Sequence, residues 1–257
     1  MTTNRLVASN LVHHYDTPSA PSRELLAIRG VSVALADQSF TCLIGPSGCG
    51  KSTLLKILAG LLRPNEGQVT LSGHALNAPS REIGIVFQNA TLMPWRTVRD
   101  NLVLPLEIEG VPTAEKDQRA QHWLELLGLS EFADTYPTGL SGGMAQRLAV
   151  GRALIHNPDV LLLDEPFGAL DALTREQVSQ ELLKVWSEHR KTVLMVTHSI
   201  REAILLSDRV LVMSPRPGQI VEDIAIDLPR PRKLHMFLEH NFALLEEEVR
   251  AALSLTY

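Results

Sequence analysis

The chain has 257 residues, 45% of them hydrophobic, and a mean hydropathy of +0.04, as expected of a globular protein. Its 29 acidic and 24 basic residues give a net charge of −5, which argues against a protein that tracks a nucleic-acid backbone, because such proteins carry a basic stripe. No uncharged apolar run approaches the roughly 20 residues that cross a bilayer, and no signal-peptide core follows the N-terminus. We therefore expect a cytoplasmic protein in which Cys42 and Cys49 are reduced thiols.

The N-terminal part of the chain is typical of strands arranged around one glycine loop. Strands are predicted over Leu6–Tyr15 and Leu25–Leu35, and a third, Phe40–Ile44, leads into Gly45-Pro46-Ser47-Gly48-Cys49-Gly50-Lys51-Ser52. This loop has the pattern G-x-x-x-x-G-K-S, and a helical segment follows it. Strand, glycine loop and helix in this order predict a phosphate-binding loop, with a nucleotide triphosphate and Mg²⁺ as its ligands.

The residue types in the loop suit that chemistry. The glycines let the backbone wrap close to a phosphate, so that consecutive N–H groups and the positive end of the following helix face the anion. Lys51 adds a positive charge for the outer phosphates, and Ser52 offers a hydroxyl ligand for Mg²⁺. The alternative is a glycine-rich turn with an accidental lysine, and the flanking strand and helix argue against it.

A helical region separates the first strands from the later ones. Two short strands are predicted over Gln68–Leu71 and Ile83–Phe87, and helices over Thr97–Leu106, Ala114–Leu127 and Gly142–His156. The scarcity of β-branched runs indicates a helical insertion between sheet segments.

A second glycine element, Leu140-Ser141-Gly142-Gly143-Met144, opens the last of these helices. The serine, the two glycines and the helix N-terminus together predict another anion site. One γ-phosphate does not need two such cradles in one subunit. Each cradle is therefore expected to serve a different face of a shared nucleotide.

The sheet pattern returns after the insertion. Strands are predicted over Val160–Leu163, Thr192–Val196 and Val210–Met213, separated by helices over Ala172–Glu188 and Ile200–Leu206. This alternation predicts an α/β fold with a mostly parallel sheet that is covered on both faces. Near the end, apolar residues at helical spacing predict one amphipathic helix over Phe237–Leu253, which we expect to pack on the core rather than on a membrane.

Polar residues stand at the ends of three predicted strands. Asp164 and Glu165 end an apolar strand, and beside a phosphate loop we expect Asp164 to hold Mg²⁺ and Glu165 to polarise the attacking water, rather than to form an exposed acidic turn. His198 can hydrogen-bond the γ-phosphate or the water, although a lone histidine is usually structural. The amide of Gln88 can reach a metal-bound water and sense its loss.

These elements, in this order, resemble the ATP-binding subunit of an ATP-binding cassette (ABC) transporter over residues 5–215. The resemblance implies a RecA-like phosphate-loop core with a mostly parallel sheet, an antiparallel β subdomain and an inserted α-helical subdomain. It implies one ABC ATPase domain over residues 1–257, with a core of 1–88 and 158–215, a helical signature subdomain of 89–157, and a strand and helix tail of 216–257.

The same resemblance assigns roles to individual residues. Tyr15 would stack on adenine, Gln88 would couple metal occupancy to the helical subdomain, and Ala169-Leu170-Asp171 would cross a dimer interface. The expected metal ligands are Ser52, Gln88 and Asp164, and the expected catalytic residues are Glu165, His198 and Gln88. The expected ATP-binding residues are Tyr15, Gly45, Pro46, Ser47, Gly48, Cys49, Gly50, Lys51, Ser52, Thr53, Ser141, Gly142 and Gly143.

Two local features refine this resemblance. Met144 stands where the family signature has glutamine, and a thioether cannot replace an amide as donor and acceptor, so we interpret the change as tuning of the contact across the dimer. The segments Leu92–Val98 and Met213–Gly218 resemble the branch of taurine, nitrate and sulfonate importers.

The resemblance also implies partners and a location. We expect a homodimer around two ATP molecules, transmembrane permease subunits, indirectly a periplasmic or extracellular solute-binding protein, and no nucleic acid. The subunit would lie peripherally on the cytoplasmic face of the membrane. The surface around Pro94-Trp95-Arg96 is expected to dock a cytoplasmic helix of the permease, unless Trp95 is buried in the helical subdomain.

Two other functions remain open alternatives. A soluble cassette protein acting on ribosomes or DNA typically has two cassettes or a long coiled-coil insertion, and neither is seen in this sequence. A phosphate-loop kinase of small metabolites would need lid arginines and would have no use for Ser141-Gly142-Gly143.

Overall fold

The computed structural model describes residues 4–16, 25–168 and 170–254. The chain groups into two compact units, a first unit of Met1–Ser80 and Arg190–Tyr257 and a second unit of Arg81–His189. The subdomain boundaries expected from the sequence remain predictions. In chain order the elements are β1 (Asn4–Tyr15), β2 (Leu25–Ala36), β3 (Phe40–Ile44), α1 (Lys51–Leu58), β4 (Glu66–Leu71), β5 (His74–Ala75), β6 (Ile83–Val86), α2 (Val98–Ile108), α3 (Thr113–Leu126), α4 (Gly142–Leu154), β7 (Val160–Asp164), α5 (Ala172–His189), β8 (Thr192–Val196), α6 (Ile200–Leu206), β9 (Arg209–Met213), β10 (Ile220–Ala225) and α7 (His240–Ser254).

The first unit contains an antiparallel sheet in the order β2-β1-β4-β5. Strand β1 lies between β2 and β4, and buried side chains alternate with partly exposed ones at Leu6 and Ala8 and again at Leu11 and His13, with a shift in register between Ala8 and Leu11. This period of two is what a strand with one core-facing side requires. The sheet corresponds to the antiparallel β subdomain that the resemblance implies.

The first unit also contains the strands β10-β9-β3-β8 of the second sheet. Strand β3 is buried throughout and pairs in parallel with both β8 and β9. Leu43 is in register with Val196, so the glycine loop after β3 and His198 after β8 leave the same edge of the sheet. The carboxyl ends of parallel strands are the usual place for a ligand site in an α/β fold.

The second unit combines a parallel strand pair with helices. Strands β6 and β7 pair with Val86 opposite Leu163, so Asp164 at the end of β7 and Gln88, two residues after β6, stand at the same edge. Thr97 caps the N-terminus of α2, because its side chain accepts a hydrogen bond from the backbone N–H of Asp100, and α2 packs on α3 and α4. Parallel strands, helices and a separate antiparallel sheet confirm the α/β fold class.

The C-terminal tail differs from the prediction of one helix over Phe237–Leu253. Leu234–Leu238 form a 3₁₀ turn, Glu239 is extended, and α7 begins at His240. The ring of Phe237 still packs on Phe242, with 5.0 Å between ring centroids, so the apolar spacing continues across the break and conceals it. Phe242 and Val249 are fully buried, and α7 packs on α6 and β9, which confirms the predicted packing on the core.

The described helices include none that combines the length and the apolar character needed to span a bilayer.

Candidate functional site

The glycine loop sits between a buried strand and the N-terminus of α1, as its pattern predicts. Gly50 precedes the first turn of α1 with φ +110°, and Gly48 has φ +75°, values that residues with side chains rarely adopt. Ser47 and Gly48 are exposed, whereas Cys49 is buried beneath them, and burial raises the pKa of its thiol. Cys42 and Cys49 are both free, and Cys49 fills space under the loop rather than offering a reactive thiolate.

Lys51 lies folded over the loop. Its side chain is buried, and Nζ donates to the carbonyl oxygens of Gly45 at 2.9 Å and Pro46 at 3.0 Å. A positive charge at a helix N-terminus beside exposed backbone is suited to the terminal phosphates of a nucleotide. The adjacent Ser52 is exposed on the first turn of α1, where its hydroxyl can serve as a metal ligand.

Tyr15 is held beside the glycine loop by two contacts. Its hydroxyl lies 3.2 Å from that of Thr53 in α1, and its ring packs edge-on against His13, with 4.7 Å between centroids. Tyr15 is 38% exposed, so part of the ring remains accessible. Burial, with a smaller contribution from His14, lowers the pKa of His13 below its ordinary value.

The second unit brings Gln88 and the strand-end acids together. Asp164 is 7% exposed at the end of β7, and Glu165 follows it with φ +45°. The Gln88 amide Nε2 donates to Glu165 Oε2 at 3.3 Å. A buried carboxylate, a neighbouring carboxylate and an amide therefore cluster at one edge of the β6–β7 pair.

The second cradle has the geometry of a helix N-terminus that is open to solvent. Ser141 precedes α4, and its Oγ accepts a hydrogen bond from the backbone N–H of Met144 at 3.3 Å. Ser141 and Gly142 are exposed, whereas the Met144 side chain is half-buried. Leu170 lies near Gly142, 3.7 Å from where a Cβ would stand, and Ala169 of the same predicted interface loop lies outside the described residues.

The loop after Gln88 is tied to the helix of the second cradle. Arg152 in α4 donates to the carbonyl oxygens of Ala90 at 2.9 Å and Thr91 at 3.2 Å. Asn101 is fully buried in α2, where its side-chain oxygen accepts a hydrogen bond from the Met93 N–H and its Nδ2 donates to the Met93 carbonyl oxygen. One end of α4 therefore carries the cradle and the other end holds this loop.

The loop presents Trp95 to solvent. Its side chain is 70% exposed, so the alternative that Trp95 is buried in the helical subdomain is wrong. The buried tryptophans of this unit are Trp123 and Trp186. Arg96, in contrast, is paired with Glu107 at 2.6 Å and is less available for docking than its exposed neighbour.

Three residues in this structure were not singled out from the sequence. Arg152 and Asn101 position the loop after Gln88, and Arg216 contacts the glycine loop through Gly48. Of these three residues, only Arg216 lies in a segment that the sequence marked, because Met213–Gly218 resembles the importer branch. Arginine and asparagine within helices are otherwise unremarkable in sequence.

Comparison with known proteins assigns the chain to a family. A family model described as ABC transporter matches residues 28–168. An uncharacterised ABC transporter ATP-binding protein of Methanocaldococcus jannaschii is 47% identical over 232 residues, covering 88% of this chain and 87% of that protein. The taurine import ATP-binding protein TauB of Rhizobium johnstonii is 46% identical over 241 residues, or 91% of each protein. The bicarbonate transport ATP-binding protein CmpD of Synechococcus elongatus is 42% identical over 237 residues, covering 91% and 84%.

A solved structure shows the same architecture. It is a dimer of an ATP-binding cassette in a post-hydrolysis state bound to ADP and Pi, and it matches with a TM-score of 0.77 and 32% identity, covering 87% of this chain and 100% of that chain. Sequence identities of this size over most of the chain indicate membership of the same family and not only the same fold. The chain belongs to the ABC transporter family and is one of its ATP-binding, ATP-hydrolysing subunits.

Proposed function

We propose that this chain powers the import of a small solute through a partner membrane permease, with a solute of the nitrate, sulfonate or taurine type. The observation that carries the proposal is the presence of two anion cradles, Gly45–Ser52 and Ser141–Gly143, in a chain whose relatives are named for taurine import and bicarbonate transport. A soluble cassette protein acting on ribosomes or DNA is the alternative function.

In this proposal each cradle contacts the phosphates of a shared ATP from one side. The loop N–H groups and Lys51 bind the phosphates from one subunit, and Ser141 of the partner subunit closes the site from the other. Two chains then meet head to tail as a homodimer with two ATP molecules between them. The exposure of Ser141 and Gly142 supports such a contact, because both residues are accessible to a ligand that a second subunit holds.

The hydrolytic roles follow from the donor types at the strand ends. Ser52, Asp164 and Gln88 supply hydroxyl, carboxylate and amide oxygens, the ligands that Mg²⁺ prefers. When bound, Mg²⁺ supplies charge neutralisation at the phosphate oxygens. Glu165 accepts a proton from the attacking water, and His198, at the end of β8, hydrogen-bonds the γ-phosphate or that water. Tyr15 stacks on the adenine through the exposed part of its ring.

Trp95 marks the proposed docking surface for the permease. Tryptophan is a residue type that dominates protein interfaces, and Trp95 is exposed on a loop whose backbone Asn101 hydrogen-bonds at Met93. The bonds of Arg152 join this loop to α4, so a change at the second cradle can reach the docking surface. The subunit would then lie on the cytoplasmic face of the membrane and act indirectly with a solute-binding protein.

Affinity purification of the tagged chain from detergent-solubilised membranes tests the proposal. We expect a polytopic membrane protein to co-purify, and Trp95→Ala to reduce its recovery while nucleotide-dependent ATPase activity persists. Leu238→Ala is the matched control, because Leu238 is also exposed, at 91%, but lies in the C-terminal tail of the other unit. Recovery of ribosomal particles or nucleic acid in place of a membrane protein would support the alternative function.

A further inference from the structure

The loop between β9 and β10 reaches the glycine loop through one side chain. We call residues Ser214–Gln219 the brace loop. Within it, Arg216 Nε and Nη2 both donate to the carbonyl oxygen of Gly48, at 3.1 and 2.9 Å. The guanidinium therefore holds one peptide group of the glycine loop with two charge-assisted donors.

The brace loop is itself fixed rather than free to swing. The Ser214 N–H donates to the Gln219 carbonyl at 2.9 Å, and the Gln219 N–H donates to Ser214 Oγ at 3.0 Å. The loop is also tied to β2, because the Gly218 N–H donates to Ala27 at 2.9 Å and the Arg29 N–H donates to the Gly218 carbonyl at 3.0 Å. Arg216 is therefore carried by a loop that hydrogen bonds hold at both ends and to β2.

The backbone of the glycine loop also packs closely against the brace loop and the adjoining strands β2 and β9. A Cβ on Gly218 would collide with the carbonyl oxygen of Cys49, and a Cβ on Gly45 would lie 2.7 Å from the carbonyl oxygen of Met213. A Cβ on Gly50 would lie 2.9 Å from the Ala27 carbonyl oxygen. The missing side chains of these glycines allow the glycine loop to pack closely against β2, β9 and the brace loop. At Gly48 the contact is made by the side chain of Arg216 instead.

We propose that Arg216 is a positioning residue that keeps the Gly48–Cys49 peptide turned with its carbonyl outward. Gly48 has φ +75° and no Cβ, so its own side chain does not restrain the adjoining peptide groups. Another restraint on the Gly48–Cys49 peptide is a long hydrogen bond of 3.3 Å from the Cys49 N–H to the Pro46 carbonyl oxygen. A carbonyl oxygen that rotated inward would repel the phosphates, whereas an outward carbonyl leaves the other N–H groups of the loop to face them. Arg216 favours the binding conformation before the nucleotide arrives and reduces the ordering cost of binding.

This inference rests on the proposed role of Gly45–Ser52 as the phosphate loop. Its test measures Mg-ATP affinity by calorimetry, together with kcat and KM, for Arg216→Met and Arg216→Lys. Arg209→Met is the matched control, because it removes the same charge from the opposite end of β9, where Arg209 is paired with Asp223. Lys51→Ala serves as a reference for the loop assignment.

We expect Arg216→Met to weaken Mg-ATP binding about tenfold, the scale of a charge-assisted hydrogen bond that is lost. The loss should appear in KM with little change in kcat, and the melting temperature of the nucleotide-free protein should stay near that of the wild type. Arg216→Lys should recover only part of the affinity, because an ammonium lacks the paired donors of a guanidinium. Arg209→Met should bind like the wild type.

The outcomes separate this inference from the assignment beneath it. Wild-type affinity in Arg216→Met, beside a weakened Lys51→Ala, would overturn the inference alone. Full recovery in Arg216→Lys would also overturn it, since charge without fork geometry would then suffice. Unchanged affinity in Lys51→Ala would overturn the phosphate-loop assignment itself.

Discussion

The amide of Gln88 donates a hydrogen bond to the carboxylate of Glu165, with 3.3 Å between Nε2 and Oε2. The two residues follow neighbouring parallel strands, β6 and β7, and the register of that pair brings them to one edge. A glutamine in contact with the proposed general base can respond to whatever occupies the site beside it. The loop after Gln88 is held by Arg152, so such a response has a structural route to α4.

Lys51→Ala and Glu165→Gln should separate binding from turnover. Lys51 lies in the phosphate loop, so its loss should weaken ATP binding. Glu165 is proposed to act on the water, so Glu165→Gln should leave ATP affinity intact and reduce turnover by roughly 10²- to 10⁴-fold, as for a lost general base. Calorimetry and steady-state kinetics distinguish the two, and an equal loss of affinity in both variants would contradict these roles.

The sequence predicted the parts of the site that are built from local patterns. The glycine loop, Asp164 and Ser141 each stand at a strand end or helix start that composition and spacing identify. The contact of Arg216 with Gly48 joins residues 168 positions apart and depends on β9 lying beside β3, which no local pattern specifies. The break at Glu239 was missed because apolar spacing continues through it.

The contacts of Asn101 and Arg152 illustrate a second limit. Both side chains serve backbone carbonyl groups of a loop without regular structure, and the sequence does not show which carbonyl groups need donors. The exposure of Trp95 likewise depends on how that loop is held. A tryptophan in sequence is compatible with burial or with an interface.

Arg152→Met should loosen the loop after Gln88 without removing any proposed nucleotide contact. The carbonyl groups of Ala90 and Thr91 lose their donor, so we expect ATP affinity to persist while stimulation of the ATPase by the permease is reduced. Arg147→Met is the matched control, because Arg147 lies in the same helix but donates to Leu127 at 2.8 Å. ATPase assays in the reconstituted complex measure both, and equal stimulation in the two variants would contradict a coupling role for Arg152.

His13 should make stability depend on pH. Burial lowers its pKa below the ordinary value of 6.5, and its Nδ1 has no hydrogen-bond partner among the described residues, so protonation disfavours the folded state. The unfolded chain takes up a proton as the pH falls below about 6.5, while the folded chain resists it, so this contribution to stability is present above that pH and is lost on acidification.

Thermal melts between about pH 8 and pH 5.5 measure this effect. His13→Phe keeps a ring against Tyr15 and cannot be protonated, so the fall in melting temperature should be smaller than in the wild type. The exposed His74 on β5 is the control, and His74→Phe should retain the wild-type fall. An identical pH dependence in His13→Phe and the wild type would show that His13 does not contribute.

Sedimentation velocity of Glu165→Gln with Mg-ATP tests the composite site most directly. If Gly45–Ser52 and Ser141–Gly143 face the same ATP from two chains, blocked hydrolysis should trap the closed state, and the variant should sediment as a dimer with ATP and as a monomer without it. Adding Ser141→Arg to this variant should abolish the dimer while ATP affinity of the monomer is retained, because the new side chain obstructs only the cradle offered to the partner. A Glu165→Gln protein that remains monomeric with saturating Mg-ATP, or a dimer that persists with Ser141→Arg, would contradict the shared site.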